Sequence, residues 1–330
     1  MSGLYPLLLK PFFSPRPWGS RDLSPIYTVF PNKDGEPIGE SWLTGDQCAV
    51  ANGTLAGKTL DEVAKQFGRE LVGDTAPQAD RYPLLMKFLF PTDTLSVQVH
   101  PDDEGARKLG QPVGKTECWY VLDAKPGAQI GLGLKPGTTR EELKRGIEQN
   151  TAENLLNWIE VRAGEMYYVD AGTVHAIAGG SILVETQQNS DTTFRLYVYG
   201  RPRELHVEQG LEATKETTRA GKVLDAKAPV LVASPFFVVE KFKVGKGQTF
   251  TLQGGSAAQA IVAIAGGGVI ESESNPSVAF ARGEAVVIPA SVKDARVRPQ
   301  WEVEFIRSTV PAAGVPAPKT ALVSSSEARV

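Results

Sequence analysis

The chain is poor in cysteine and histidine. Two cysteines, Cys48 and Cys118, occur in 330 residues. They cannot build a disulfide framework, which fits a reducing compartment. Three histidines are present, His100, His175 and His206, so any site built on imidazole must draw on these. No charge of one sign dominates: 35 Lys and Arg against 38 Asp and Glu leave a formal net charge of −3. General binding to nucleic acid or anionic membranes is therefore not expected. No run approaches the roughly 20 apolar residues that span a bilayer. Leu4-Tyr5-Pro6-Leu7-Leu8-Leu9 is short, is broken by proline and has no basic region before it, so it fails as a secretory signal. Asn52-Gly53-Thr54 matches a glycosylation sequon, which carries no weight without an export signal. These absences predict a soluble, cytoplasmic protein with no nucleic-acid or membrane partner.

What is present is apolar mass and many turns. Hydrophobic residues make up 42% and charged residues 22%, an ordinary globular composition of a length that suggests about two domains. Thirty-three glycines and 23 prolines point to short strands joined by turns. Two helical segments are expected. Thr59-Leu60-Asp61-Glu62 is a capping-box pattern, and Leu60, Val63, Phe67 and Leu71 then follow helical spacing over about 60–72. Thr138-Thr139-Arg140-Glu141 can cap a second segment over about 139–158, with Leu143, Ile147, Leu155 and Leu156 on its apolar face. Elsewhere strands prevail. Leu95-Ser96-Val97-Gln98-Val99-His100 alternates with period two, so Ser96, Gln98 and His100 point the same way until Pro101 ends the strand. Further strand signals lie at 118–122, 166–169, 175–177, 182–185 and 194–198, with at least five more over 228–308. Short strands and Gly-rich turns argue for a sandwich, barrel or jelly roll.

An internal echo refines that expectation. Gly164 is followed by five residues and then Asp170-Ala171-Gly172-Thr173-Val174-His175; Gly283 is followed by five residues and then Pro289-Ala290-Ser291-Val292-Lys293-Asp294. The first copy resembles a sequence motif of the cupin jelly rolls, and in the second copy Asp294 stands where the first has histidine. The expected fold is mainly β: two cupin-type jelly rolls with a small helical insertion. A catalytic, metal-binding unit is expected over 1–225, a degenerate cupin-like unit over 226–310, and a flexible tail rich in Pro, Ala and Ser over 311–330.

Four residues have the chemistry of a metal site: Gln98, His100, Glu117 and His175. All offer N or O donors suited to a borderline divalent ion such as Zn²⁺. Gln98 and His100 share one strand face, Glu117 opens a strand and His175 follows a tight turn. Three protein ligands plus an amide leave room for water or substrate. Spacing alone is also met by unrelated polar side chains.

The flanking sequence narrows this. Leu95-Ser96-Val97-Gln98-Val99-His100-Pro101-Asp102-Asp103, Gly114-Lys115-Thr116-Glu117-Cys118-Trp119-Tyr120, Ala171-Gly172-Thr173-Val174-His175-Ala176 and the stretch from Glu185 to Tyr197 resemble, in order, type I mannose-6-phosphate isomerases of the short bacterial form. Trp18-Gly19, Ile38-Gly39-Glu40-Ser41-Trp42 and Arg203-Glu204-Leu205-His206 are similar to that family as well, so the resemblance spans about 5–210. It implies an aldose–ketose isomerase of carbohydrate metabolism that interconverts mannose 6-phosphate and fructose 6-phosphate through a cis-enediol(ate), with one Zn²⁺ per chain. By position, Gln98, His100, Glu117 and His175 are the implied ligands and Arg195 the catalytic arginine. Ser96, Lys115, Glu185 and Asp191 are the implied substrate-binding residues. One departure is Tyr197-Val198-Tyr199, where the short forms often carry Asp at the middle position. The chain is expected as a monomer or homodimer. An Fe²⁺ cupin oxygenase and a non-catalytic sugar-binding double cupin remain alternatives from a different class. His206 reads as structural or surface, and Cys118, by alternation, as an inert buried thiol. Two apparent nucleotide motifs fail. Gly53 to Thr59 has three residues between its glycines where a P-loop needs four, and Gly131-Leu132-Gly133 lacks a third glycine.

Overall fold

The computed structural model describes residues 3–31, 35–252 and 254–321. Antiparallel sheets dominate, as expected. The described residues fall into two compact units, each assembled from separate stretches of chain. Among the described residues, unit 1 comprises those within 3–14, 21–88 and 226–317, and unit 2 those within 15–20, 89–225 and 318–321. This corrects the expected division at 225/226: residues 21–88 belong with the C-terminal strands. Backbone hydrogen bonds tie them there, from Ala290 N–H to the Leu71 carbonyl (2.9 Å), Ser291 N–H to Glu70 (3.0 Å) and Ala258 N–H to Val72 (3.1 Å). Such contacts leave no periodic trace in sequence.

In unit 1 a sheet runs in the order Leu7–Leu9, Ala285–Ile288, Gln259–Ser272, Arg296–Thr309, Val238–Gly245, Val230–Ala233. Its core holds Ile261, Val286, Val303 and Phe305. The segment expected as one helix over 60–72 is two, Leu60–Phe67 and Arg69–Val72. The predicted capping box forms: Glu62 N–H donates to the Thr59 hydroxyl and Thr59 N–H to the Glu62 carboxylate. Gly68, at φ +53°, breaks the run because it takes a left-handed conformation costly for other residues. In the second echo copy, Asp294 accepts hydrogen bonds from the Ser272 hydroxyl (2.8 Å) and the Glu273 N–H (2.6 Å). It organises a turn.

Unit 2 places two sheets around a shared core. One runs Phe194–Tyr197, Val97–Val99, His175–Ile177, Gln129–Leu134, Leu156–Glu160; the other includes Ser181–Gln188, Glu117–Ala124, Met166–Val169 and Gly221–Val223. Ile130, Leu132, Ile159 and Ile177 of the first pack with Trp119, Val121, Tyr167 and Leu183 of the second in one buried cluster, the arrangement that lets two half-apolar sheets hide their faces. The helix expected over 139–158 is shorter. Arg140–Glu148 is helical, capped by a Thr139–Glu142 capping box. Asn150 then adopts φ +57°, which ends the helix. After a short turn at Ala152–Leu155, Leu156–Glu160 is a strand on Gln129–Leu134. The tail expectation is also corrected in part. Thr320–Ala321 pairs with the Gly221–Val223 strand, Lys222 opposite Ala321; residues 322–330 lie outside the described residues. Among the described residues no helix is long and apolar enough to cross a membrane.

Candidate metal centre

Three side chains converge inside unit 2. His100, Glu117 and His175 are each no more than 2% exposed, and one ligand atom from each lies within 4.8 Å of the others. Glu117 Oε1 is 3.3 Å from His175 Nε2, and its Oε2 is 3.6 Å from His100 Nε2. Strand register explains the convergence. Gln98 lies directly opposite His175 on one side and opposite Arg195 on the other, and residues opposite one another in an antiparallel pair share a face. His100, two residues beyond Gln98, follows on that face. Glu117 opens the Glu117–Ala124 strand of the other sheet and supplies the carboxylate from across the unit.

Backbone carbonyls fix both imidazoles. His100 Nδ1 is 2.9 Å from the Thr192 carbonyl, and His175 Nδ1 is 2.9 Å from the Thr173 carbonyl. A carbonyl only accepts, so each Nδ1 carries a proton, and each ring turns its Nε2 toward Glu117. Burial lowers the His175 pKa to about 3, with the nearby Lys115 charge acting in the same direction against the Thr173 hydrogen bond. The ring is therefore neutral at physiological pH, the form that ligates a metal. The Trp119 ring meets it edge-on at 5.4 Å between centroids. Two imidazoles and one carboxylate, all buried, are the donor set of Zn²⁺ and related divalent ions. Gln98 sits beside them, its Nε2 3.1 Å from His175 Nε2 and its Oε1 accepting the Ser96 hydroxyl at 3.1 Å. A flip of that amide exchanges donor for acceptor.

The other expected site residues divide. Lys115 is 5% exposed, with Nζ 3.4 Å from Glu117 Oε2. Glu185 is buried opposite Trp119, and Trp119 is two residues from Glu117, so both carboxylates face the same way. Arg195 is half-buried on the Gln98 face. Ser96 is buried and holds Gln98. Asp191 stands apart, exposed on the turn before the Phe194–Tyr197 strand. Val198, at the position departing from the family pattern, is buried. Cys118 points to the opposite face, and burial pushes its thiol pKa well up, as expected of an inert thiol. His206 is structural. Its Nδ1 accepts the Arg195 N–H (3.3 Å), and its own N–H donates to the Arg195 carbonyl (2.8 Å).

Sequence reasoning passed over one buried charge in unit 1. Lys87, 3% exposed in the apolar strand Leu84–Leu89, lies 4.0 Å from Glu40 Oε2 and 4.7 Å from the centre of the Trp42 ring. A lone lysine inside an otherwise apolar run was the available signal.

Comparison with known proteins agrees with the geometry. The family model for the catalytic domain of type I phosphomannose isomerase matches residues 7–131. Mannose-6-phosphate isomerase ManA of Bacillus subtilis is 38% identical over 255 residues, covering 72% of this chain and 79% of its own. Mannose-6-phosphate isomerase of Streptococcus mutans is 34% identical over 304 residues, covering 87% and 93%. The crystal structure of the mannose 6-phosphate isomerase from Bacillus subtilis superposes with a TM-score of 0.79 at 31% identity, over 92% of this chain and 99% of that one. Similarity this extensive, in sequence and in fold, settles the kinship: the chain belongs to the type I mannose-6-phosphate isomerase family.

Proposed function

We propose that the chain interconverts mannose 6-phosphate and fructose 6-phosphate with one Zn²⁺ held by His100, Glu117, His175 and Gln98. The observation that carries this reading is the buried His100–Glu117–His175 cluster, with Lys115 at 3.4 Å from its carboxylate, in a chain of this family. The reaction moves a proton between C1 and C2, and negative charge develops on the two neighbouring oxygens. When bound, the ion supplies Lewis-acid stabilisation of that charge.

The chain's own residues do the rest. The backbone-tethered imidazoles and the strand-held Glu117 keep the donors in place, so no reorganisation is needed as charge develops. Arg195 offers a planar fork to phosphate or to a charged oxygen. Lys115 presents an ammonium beside Glu117 that can hold a hydroxyl or the phosphate. Glu185, buried on the Glu117 face, is the better placed proton carrier between the carbons, since Asp191 is exposed. Ser96 orients Gln98. Asp191 is left the outer end of the substrate. A cationic pair suited to a phosphate weighs against the oxygenase alternative, which has no use for it. Buried free thiols at Cys48 and Cys118 support a cytoplasmic location.

The test is a coupled assay of fructose 6-phosphate formation from mannose 6-phosphate, on chelator-stripped protein before and after Zn²⁺ addition. Turnover restored by the metal is expected. Folded, metal-loaded protein with no turnover would sink the reading.

A further inference from the structure

We propose that Asp103 and Gln188 are positioning residues that set Lys115 and Glu117 at the metal centre without touching metal or substrate. The inference rests on the isomerase reading and concerns how its site is held.

Gln187 is the last residue of the Ser181–Gln188 strand paired with its neighbour, and its partner is Glu117. Past that pair the ladder ends, and the backbone of 114–116 needs other partners. Side chains supply them. The Gly114 N–H donates to Asp103 Oδ1 at 2.7 Å, and the Thr116 N–H donates to Gln188 Oε1 at 2.9 Å. Gln188 Nε2 donates to that same Asp103 oxygen at 2.9 Å, which joins the two supports. The Lys115 N–H donates to the Pro101 carbonyl at 3.0 Å, and the Gln188 N–H to the Thr116 carbonyl at 3.1 Å. Three consecutive N–H groups leading into Glu117 are thus held. The approach is close: a Cβ on Gly114 would stand 2.5 Å from the Asp102 carbonyl carbon and 2.6 Å from the Asp103 nitrogen. Thr116 and Gln188 are buried, so the bond between them is shielded from water. Lys115 and Glu117 flank Thr116, and a displacement of Thr116 moves both. Sites of this kind need their groups held within about 0.5 Å.

The experiment compares Gln188→Leu, Asp103→Ala and the conservative Asp103→Asn with wild type, as metal-loaded full-length protein. Thr139→Ala, which removes a distant helix cap, is the control for general destabilisation. Three readouts are taken: Zn²⁺ affinity by chelator competition, the visible spectrum of the Co²⁺-substituted protein, and kcat and KM. Gln188→Leu and Asp103→Ala are expected to lose about 10- to 100-fold in metal affinity or kcat, the range for partners one step behind a ligand, with an altered Co²⁺ spectrum. Asp103→Asn keeps an acceptor oxygen and is expected within a few-fold of wild type; Thr139→Ala moves none of the three. If Gln188→Leu fails to fold, Asp103→Ala, at a half-buried position, decides alone. Wild-type metal affinity, Co²⁺ spectrum and kcat in the folded variants would overturn the proposal. Altered affinity and spectrum in a protein whose wild type lacks isomerase activity would support the positioning role and overturn the isomerase reading instead.

Discussion

Replacing Lys115 with methionine separates the electrostatics of the empty and loaded centre. Lys115 Nζ lies 3.4 Å from Glu117 Oε2, and the side chains are 5% and 1% exposed. Coulomb's law at an effective dielectric of about 20 puts the attraction at about 5 kcal/mol for that distance. Removing one member of a buried pair strands the other, at a measured cost of about 3–5 kcal/mol. For metal-free Lys115→Met the expected loss is therefore about 3–5 kcal/mol, or at least about 6 °C in Tm at about 2–4 °C per kcal/mol. A bound divalent cation replaces the missing positive charge, so the loss should shrink to less than half when Zn²⁺ is saturating. Turnover should fall in the loaded enzyme. The assay is denaturant unfolding of wild type, Lys115→Met, Glu117→Gln and the double variant, with and without Zn²⁺. In the metal-free series the double variant should cost less than the sum of the single ones, because the pair is coupled. Strict additivity, or an equal loss with and without Zn²⁺, would refute the argument that Lys115 compensates Glu117.

Three further expectations follow from other parts of the chain. Arg195→Ala should lower turnover about 100-fold or more while metal content stays unchanged, measured by the coupled assay beside elemental analysis; unchanged turnover would remove Arg195 from the mechanism. Gly283→Ala should destabilise by about 1–3 kcal/mol, because Gly283 has φ +88° and an added Cβ would stand 2.6 Å from the Tyr27 ring. Chemical denaturation at several protein concentrations reads that directly. Burial alone would raise the Glu165 pKa, but hydrogen bonds from Lys222 (2.6 Å), the Tyr167 hydroxyl (2.7 Å) and the Arg162 N–H (2.8 Å) bring it below its ordinary value. Its contribution is present above the usual glutamate range near pH 4.3 and is lost as pH falls through the folded value. Lys222→Met should therefore flatten the decline of stability between about pH 5 and 3; identical slopes would contradict it.

What was legible in the sequence follows from where each interaction resides. Gln98 and His100 could be placed on one face because strand alternation is a local rule, and the register sets Gln98 opposite both His175 and Arg195. The first helix start was legible because a capping box is four residues long; the second was legible to within one residue, since the box that forms is Thr139–Glu142 and not the expected Thr138–Glu141. The helix ends were not: Gly68 and Asn150 stop them through backbone conformation, and the pull of Leu156 onto the Gln129–Leu134 strand is a tertiary demand. The same distinction runs through the metal centre. His100, Glu117 and His175 are rare side-chain types in telling contexts, whereas the carbonyls of Thr173 and Thr192, which set their tautomers, could belong to any residue. The support beneath Lys115 and Glu117 lies between these cases. Asp103 and Gln188 are side chains, but they act on backbone N–H groups of one segment, at Gly114 and Thr116, which lie 11 residues from Asp103 and 72 from Gln188, and only the fold brings those together. Residues that do the chemistry thus announce themselves by type, while residues that hold them are visible only once the chain has closed. For that reason the positioning pair, rather than the ligands, is where the structure adds most to the sequence.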